Sequence, residues 1–205
     1  MEFRLLGCIE HSVADTMMRE LQQQRVDDES GDIILILEHP EVVTIGPRAR
    51  KEGVAIPSDY DSNDVDRGGG ITWHGPGQIV VYPIIRWRQD DEKNVAQIIS
   101  KIEEWIITAL GHSGIIAGRD NRMQGVWVEG HKVASIGLSF LRWVSRHGFT
   151  INHDTPPGRV EGISGCGLGA EVTTSLSQLG HMVNKEKLIE SLISTSEACL
   201  NRNIS

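Results

Sequence analysis

A glycine-rich stretch that runs straight into an apolar segment restricts the architecture of this chain more than any other part of its sequence. Residues 67–78 are RGGGITWHGPGQ, and the apolar run Ile79–Ile85 follows at once. Three consecutive glycines lack Cβ atoms, so a ligand can approach their backbone N–H groups closely, and Gly75-Pro76-Gly77 predicts a tight turn. A flexible linker would instead continue with serine and glycine. We therefore interpret the stretch as one wall of a pocket; the alternative is a glycine-rich hairpin that binds nothing.

Length and charge exclude several classes of function. A chain of 205 residues is long enough for one sizeable core, and we expect a single domain over residues 1–205. The net charge of −8, with no lysine- or arginine-rich stripe, argues against nucleic acid as a partner. The N-terminus lacks the pattern of a signal peptide, and no segment has the apolar length that spans a bilayer. We therefore expect a cytoplasmic protein without a membrane partner.

The cysteines do not have the pattern of a disulfide framework. Cys8, Cys166 and Cys199 are odd in number and widely spaced, and no CxxC pair exists. Cys8 and His11 have a spacing found in metal sites, but no second pair accompanies them. We therefore predict no metal site.

Hydrophobic periodicity predicts strands and helices in an α+β arrangement. Residues 32–37, DIILIL, form an apolar run typical of a strand buried on both faces, and we expect it in the centre of a sheet. Asn94–Gly111 has apolar residues at helical spacing, with Asn94 as its cap. Further strands are predicted at 126–128, 133–138 and 141–151. Because strands dominate the middle and helices lie at both ends, we predict a mixed β-sheet covered by helices.

Capping residues predict the helices near the two ends of the chain. A first strand at Phe3–Ile9 is followed by a helix from a Ser12 cap to about Arg25. The side chains expected on its inner face are Val13, Met17 and Leu21. Thr174 is predicted to cap a short helix and Asn184 a C-terminal one.

Two residues that are distant in sequence have the chemistry of a nucleophile and its activator. Cys166 lies between glycines in a predicted irregular loop, Thr155–Gly169, whereas an inert cysteine usually lies in an apolar strand or helix. Backbone N–H groups in such a loop can stabilise an oxyanion. Lys132 begins the apolar segment KVASIG, where a partly desolvated ammonium beside a thiol favours the thiolate and can transfer protons. From the residues alone, an ordinary turn lysine in the sequence EGHK is the favoured interpretation.

Several motifs resemble, in order and spacing, those of the octanoyltransferases of lipoate synthesis, the LipB family. The matching segments, which extend over nearly the whole chain, are Arg67-Gly68-Gly69, Thr72 to Gln78 with Tyr82-Pro83-Ile84, Lys132 to Gly137, His147-Gly148-Phe149 with Asn152, and Cys166-Gly167-Leu168. The resemblance implies the fold of lipoate-protein ligases and biotin protein ligases. It also implies that an octanoyl group passes to a cysteine thiolate and then to a lysine amine, without a nucleotide or other cofactor.

The resemblance also assigns residues and partners. By position, Cys166 is the acyl-thioester nucleophile, and Lys132 lowers the pKa of its thiol and transfers protons. The implied acyl pocket consists of Arg67, Gly68, Gly69, Gly70, Ile71, Thr72, Trp73, His74, Ser135, Ile136, Gly137, Gly148, Phe149 and Thr150. The implied donor is octanoyl-acyl carrier protein. The implied acceptors are the lipoyl domains of 2-oxoacid dehydrogenase E2 subunits and the glycine cleavage H protein, and we expect a monomer.

The chain departs from the family pattern at a few positions, and other functions stay open. Gly165 stands where a proline usually precedes the cysteine, Gly70 replaces a polar residue, and the loop 152–159 differs. One alternative is an ATP-dependent lipoate or biotin ligase of the same fold, which has no use for Cys166. Another is a non-catalytic module that binds acyl groups or lipoyl domains. A close variant of the main prediction is octanoyl transfer between lipoyl-domain proteins.

Overall fold

The computed structural model describes residues 1–53, 60–92, 94–162 and 172–204. Cys166 and its neighbours at 163–171 lie outside these ranges. In chain order the elements are β1 (Glu2–Cys8), α1 (His11–Val26), β2 (Ile33–Glu38), β3 (Val42–Ile45), α2 (Pro47–Glu52), β4 (Ser62–Asp64), β5 (Ile71–His74), β6 (Gln78–Ile84), α3 (Val95–His112), β7 (Gly118–Asp120), β8 (Met123–Val128), β9 (His131–Leu141), β10 (Val144–Asn152), α4 (Arg159–Gly162) and α5 (Lys185–Leu200).

The strands form one large mixed sheet and one small sheet. The large sheet has the strand order β1-β2-β6-β10-β9-β8-β7, and the small one β4-β3-β5. In the large sheet β1 pairs with β2 in parallel, while the pairs from β2 to β7 are antiparallel. The predicted α+β class with a mixed, helix-covered sheet is confirmed.

Helices cover both faces of the large sheet and create two separate cores. Along β2, Ile34 and Ile36 belong to one core and Leu35 to the other, because successive side chains of a strand point to opposite faces. The helical side chains in the two cores are Ile98, Ile102, Ile106, Leu188 and Leu192 from α3 and α5, and Ala14, Met18 and Leu21 from α1. Full burial of one such side chain stabilises the fold by roughly 1.5–3 kcal/mol. The sheet is therefore held between two helical layers.

The predictions for the position of β2 in the sheet and for the cap of α1 are wrong. The run predicted for the centre of the sheet, β2, lies next to the edge strand β1, and its burial on both faces comes from the two helical layers. Helix α1 begins at His11 after Glu10, with no side-chain cap, so Ser12 is not its cap. Of its predicted inner face, Leu21 is buried and Met17 packs against the core, whereas Val13 is 53% exposed and the neighbouring Ala14 is fully buried.

The longer helices at the middle and end of the chain are confirmed together with their caps. The Asn94 side chain accepts a hydrogen bond from the Gln97 N–H, and Asn184 accepts one from the Lys187 N–H. Helix α2 was not predicted, although Pro47 at its first position is a common start signal. No helix in the described ranges is long and apolar enough to cross a bilayer.

The segment after residue 152 differs in detail from its prediction. Thr174 does not cap a helix: its backbone lies beside β9, and a turn over residues 176–180 follows. Part of the segment predicted as an irregular loop forms the short helix α4, Arg159–Gly162. Residues 155–158 form no helix or strand, as predicted, and the rest of that segment, including Cys166, lies outside the described residues.

Candidate active site

A cavity lies where the glycine-rich loop approaches strands β9 and β10. About 590 Å³ of space free of protein atoms lies in it, a figure that includes the solvent at its open mouth. Lys132 and the pocket residues predicted from sequence, with the exception of Trp73, line this cavity: Arg67, Gly68, Gly69, Gly70, Ile71, Thr72, His74, Ser135, Ile136, Gly137, Gly148, Phe149 and Thr150. Three segments that are distant in sequence are thus brought together around one space.

Glycines in the paired strands allow the loop to lie against the sheet. Gly137 of β9 is paired with Gly148 of β10, and the Gly68 N–H donates to the Leu138 carbonyl at 2.9 Å. A Cβ atom at Gly137 would lie 2.8 Å from the Gly68 oxygen and 3.0 Å from Arg67 Cδ. Real Cβ atoms do not approach other atoms so closely. The loop can therefore take this position only because residue 137 of β9 is a glycine.

Arg67 fastens the same loop to the small sheet. Its buried guanidinium donates to the backbone oxygens of Gly70 and Thr44, both at 3.2 Å, and to the hydroxyls of Thr44 and Thr72, both at 2.8 Å. A planar guanidinium with five N–H donors can meet several acceptors at once, which a lysine ammonium on a flexible stem cannot do in the same geometry. Arg67 therefore determines the shape of this cavity wall.

Trp73 points to the opposite face of β5 from Thr72 and His74. Thr72 and His74 face the cavity, and successive side chains of a strand alternate. The Trp73 ring is buried against Val43 and Ala49, and its Nε1 donates to the Glu41 carboxylate at 2.9 Å. The prediction took the motif as a continuous run, whereas the Trp73 side chain packs into the cluster of Val43 and Ala49 and does not line the cavity.

A cluster of buried imidazoles forms the polar part of the cavity region. The ring centroids of His11, His39 and His74 lie 5.2–6.1 Å apart. Burial lowers the pKa of His11 to about 4, and it also lowers the pKa values of His39 and His74. The three rings are therefore neutral at pH 7. No group of three or more metal-ligating side chains among the described residues is arranged to hold a metal ion.

The tautomer of His39 follows from its partners. Its Nδ1 lies 2.8 Å from the Ile9 carbonyl oxygen, which can only accept, so Nδ1 carries the proton. Its Nε2 is then the acceptor for the hydroxyl of Tyr82 at 2.8 Å, and Tyr82 also lines the cavity. Burial raises the pKa of Tyr82 well above its usual value, so the phenol remains a donor.

His147 lines the cavity from β10 in an unusual backbone conformation. Its φ is +59°, which is rare for a residue other than glycine and is typical of functional or strained positions. Its Nε2 lies 2.9 Å from Asp66, and Arg146 also binds this carboxylate. The hydrogen bond from His147, with the nearby charge of Arg146, lowers the pKa of Asp66 to about 2. Asp66 is therefore ionised and orients the His147 ring.

Lys132 brings a buried cation to the cavity. Its side chain is 7% exposed, and its Nζ lies 3.0 Å from Met123 Sδ. The side chain passes over Gly125, where a Cβ atom would lie 2.6 Å from Lys132 Cε and would also collide with the Ala134 oxygen. A buried ammonium is costly to desolvate, and it favours the ionised form of an acidic group placed near it.

The backbone of Lys132 also receives the chain that follows Cys166. Lys132 and Thr173 form a parallel β-bridge, and the Thr174 N–H donates to the Lys132 oxygen at 3.1 Å. Cys166 itself lies outside the described residues. The sequence did not indicate this contact, because it joins a strand to a segment without hydrophobic periodicity.

Other cavity residues were not included in the set predicted from sequence. They are His11, Thr44, Tyr82 and His147. Thr44 and Tyr82 are polar residues inside the apolar strands β3 and β6, and this was the available signal for a polar cavity. His11 is brought in by helix α1, which no local pattern connects to the cavity.

Comparisons with known proteins agree on one family. Residues 12–197 match the family described as "Lipoyl protein ligase A/B catalytic domain". An octanoyltransferase of Syntrophobacter fumaroxidans is 37% identical over 180 residues, covering 85% of this chain and 78% of the relative. An octanoyltransferase of Corynebacterium glutamicum is 39% identical over 202 residues, covering 92% of this chain and 77% of the relative.

Two solved structures with a similar fold are ligases. A bipartite lipoate protein ligase from Thermoplasma acidophilum has a TM-score of 0.68 at 14% identity, covering 100% of this chain and 86% of that one. A biotin protein ligase from Aquifex aeolicus has a TM-score of 0.57 at 11% identity, covering 98% of this chain and 69% of that one. These likenesses confirm the predicted ligase-like fold. Together with the family match and the close relatives, they show that the chain belongs to the lipoyl protein ligase A/B catalytic-domain family and, within it, to the octanoyltransferases, which are acyltransferases.

Proposed function

We propose that this octanoyltransferase takes the octanoyl group from octanoyl-acyl carrier protein onto Cys166 as a thioester and passes it to the acceptor lysine of a lipoyl domain. The observation that carries the proposal is the cavity itself, which places the buried Lys132 among glycines of β9, β10 and the loop 67–70. The proposed acceptors are the lipoyl domains of 2-oxoacid dehydrogenase E2 subunits and the glycine cleavage H protein.

In the first step one thioester replaces another. The Cys166 thiolate attacks the donor carbonyl, a bond forms between Cys166 sulfur and the acyl carbon, and the bond to the carrier sulfur breaks. The carrier leaves as a thiolate that takes a proton from the Lys132 ammonium. Because one thioester is exchanged for another, the step is close to thermoneutral and needs no nucleotide.

In the second step the acyl group moves to nitrogen. The uncharged ε-amine of the acceptor lysine attacks the thioester carbon, an amide forms, and the Cys166 thiolate leaves. The acceptor amine loses a proton, which the neutral Lys132 amine takes up, so that the ammonium is restored for the next cycle. An amide is more stable than a thioester, and this difference draws the reaction forward.

Three structural features support the proposal. Lys132 is buried, so its charge acts on a neighbouring thiol with less screening than in water. The chain that follows Cys166 is held on the backbone of Lys132 by the Thr173 bridge and the Thr174 hydrogen bond. Glycines 68–70, 137 and 148 leave space for an apolar acyl chain beside Ile71, Ile136 and Phe149.

A test compares acyl transfer by matched cysteine and lysine variants. The parent chain is incubated with octanoyl-acyl carrier protein, and its intact mass is measured before and after a lipoyl domain is added. An octanoyl adduct is expected on the parent and on Cys199→Ser but not on Cys166→Ser. Lys132→Met is expected to lose transfer, while Lys187→Met, which removes an exposed lysine, keeps it.

The same assay distinguishes the competing functions. An adduct that forms equally on Cys166→Ser would contradict the thioester. Lipoyl-domain modification that occurs only with free octanoate and ATP would instead indicate a ligase. Binding of the carrier protein without any transfer would indicate a non-catalytic module, and transfer from an octanoylated lipoyl domain would identify the alternative donor.

A further inference from the structure

A row of buried side chains connects the cavity wall to the segment beside Lys132. Gln78 and Asn152 face each other across the β6–β10 pair, at 1% and 2% exposure. Gln78 Nε2 donates to Asn152 Oδ1 at 2.9 Å, and Asn152 Nδ2 donates to the Thr174 oxygen at 3.0 Å. On the cavity side, Gln78 Oε1 lies 2.8 Å from His74 Nδ1.

The backbone carbonyls determine the direction of every bond in this row. The Thr174 oxygen can only accept, so the nitrogen of the Asn152 amide faces it and the oxygen faces Gln78. Gln78 Nε2 also donates to the Trp73 carbonyl at 3.1 Å, so Gln78 Oε1 is left to accept from His74 Nδ1. These carbonyls fix the two amide orientations and the His74 tautomer together.

The row continues on the other side of His74 in the same direction. With its proton on Nδ1, neutral His74 accepts at Nε2 from the Thr44 hydroxyl at 3.1 Å. The Thr44 hydroxyl in turn accepts from Arg67 at 2.8 Å. Donors therefore point from Arg67 through Thr44, His74, Gln78 and Asn152 towards the Thr174 oxygen.

The far end of the row is the segment 173–176, which further hydrogen bonds also hold against the sheet. The Thr174 N–H donates to the Lys132 oxygen at 3.1 Å, and the Leu176 N–H donates to the Asn152 oxygen at 2.9 Å. The Thr174 hydroxyl donates to Glu161 at 3.0 Å. Asn152 thus binds this segment with both its side chain and its backbone, and it does so from the end of β10.

We infer that Asn152 is a positioning residue for the acyl-transfer step. It holds residues 173–176 against the backbone of Lys132. The inference rests on the proposed function, because it assigns Asn152 an effect on the thiol and not merely on folding. Its side chain acts through the Thr174 carbonyl and need not contact the substrate.

Asn152→Asp tests the inference with almost no change of shape. The carboxylate still accepts from Gln78, but it cannot donate to the Thr174 oxygen until it is protonated. At alkaline pH we expect kcat for octanoyl transfer to fall by about tenfold or more, with a smaller change in KM. As the pH falls and the buried carboxyl takes up a proton, the ratio of variant to parent kcat should rise again.

Gln22→Glu is the matched control. Gln22 is a buried amide that donates to the Val144 oxygen at 2.8 Å from helix α1, away from the residues that line the cavity. The same replacement there also puts a carboxyl group opposite a buried carbonyl. We expect Gln22→Glu to lower the stability of the protein. Its ratio of variant to parent kcat should not vary with pH. Gln78→Glu, which removes the donor to Asn152, is a second variant and should lower kcat in the same direction as Asn152→Asp.

Hydrogen exchange separates the inference from the proposed function. Amide exchange at Thr174 and Leu176 should accelerate in Asn152→Asp and stay unchanged in Gln22→Glu, whatever residue carries the acyl group. Faster exchange with an unchanged kcat would overturn the inference by leaving Asn152 a purely structural role. A kcat ratio that is independent of pH, or that matches the control, would also overturn it. An octanoyl adduct on Cys166→Ser would instead overturn the thioester while leaving the exchange result intact.

Discussion

The position of the Lys132 side chain depends on Gly125, a residue that no sequence motif singles out. The side chain of Lys132 occupies the space that any side chain at Gly125 would fill, and Gly125 has a φ of +130°, which favours glycine. Sequence alone leaves Lys132 an ordinary turn lysine, because the space that buries it comes from the neighbouring strand β8. Lys132 of β9 is therefore buried because its partner strand β8 has a glycine at position 125.

Gly125→Ala is expected to displace the Lys132 ammonium. The added Cβ meets Lys132 Cε and the Ala134 oxygen, so we expect octanoyl transfer to fall by about tenfold or more and the free energy of unfolding to fall by roughly 1–3 kcal/mol. Gly130→Ala is the control, since Gly130 also has a positive φ but no atom lies within 4 Å of its added Cβ. Equal loss of transfer in both variants would contradict a specific effect on Lys132.

The buried histidines make stability depend on pH. The pKa of His11 is about 4 in the folded protein and near 6.5 in the unfolded chain. As the pH falls from 6.5 to 4, only the unfolded chain takes up this proton, so the folded state loses on the order of 3 kcal/mol from His11 by pH 4. The free energy of unfolding, measured with urea between about pH 7 and pH 4, should depend less on pH in His11→Asn than in the parent. An identical slope in both would show that His11 is not held neutral.

At the level of elements, hydrophobic patterns predicted the helices and strands better than their arrangement. The Asn94 and Asn184 caps follow from local chemistry and are confirmed. On the predicted inner face of α1 only Val13 is wrong, because mixed polar and apolar residues in the first turn allow more than one amphipathic face. The position of β2 in the sheet was also wrong, since an apolar run reports burial and not neighbours.

The glycine pair between β9 and β10 is the element-level feature that shapes the cavity. Gly137→Ala would press on the Gly68 oxygen and Arg67 Cδ and push the loop away from the sheet. We expect kcat/KM to fall by about tenfold or more for octanoyl donors and by less for butyryl donors, which need less of the cavity. Gly118→Ala, in strand β7 with open space around its Cβ, should leave both values unchanged. An equal loss for both chain lengths would contradict a role in acyl-chain binding.

At the scale of the whole molecule, one tryptophan connects the helical layer to the cavity. Trp105 of α3 is fully buried, donates to the Leu192 oxygen of α5 at 2.7 Å, and meets Phe149 edge to face at 5.2 Å. Phe149 in turn lines the cavity. The packing of α3 and α5 thus supports the wall formed by β10.

Trp105→Ala is expected to destabilise the protein strongly. Truncating a fully buried tryptophan leaves a cavity and an unpaired Leu192 carbonyl, and we expect a loss of about 3–5 kcal/mol in the free energy of unfolding. Trp143→Ala removes a ring that is 45% exposed and should cost much less. Chemical unfolding of the two variants and the parent provides the comparison. Similar losses in both would contradict the position of Trp105 at the centre of the core.

The fold and most of the candidate site could be anticipated at this scale because the motifs lie in the order that the family requires. The contacts that join these motifs in the folded chain could not be predicted from the sequence. Long-range contacts such as Thr173 with Lys132, or His11 with the cavity, depend on packing that no local pattern encodes. The polar row from Arg67 to Thr174 is the clearest example, since its members come from five separate parts of the chain.

The most direct test of the proposed mechanism is a chase of the isolated acyl-enzyme. The parent chain is loaded with octanoyl-acyl carrier protein, freed of donor, and mixed with a lipoyl domain while the masses of both proteins are followed. We expect the octanoyl mass to leave the enzyme and appear on the lipoyl domain at least as fast as steady-state turnover. An adduct that stays on the enzyme, or a lipoyl domain modified only while donor is present, would contradict transfer through an acyl-enzyme.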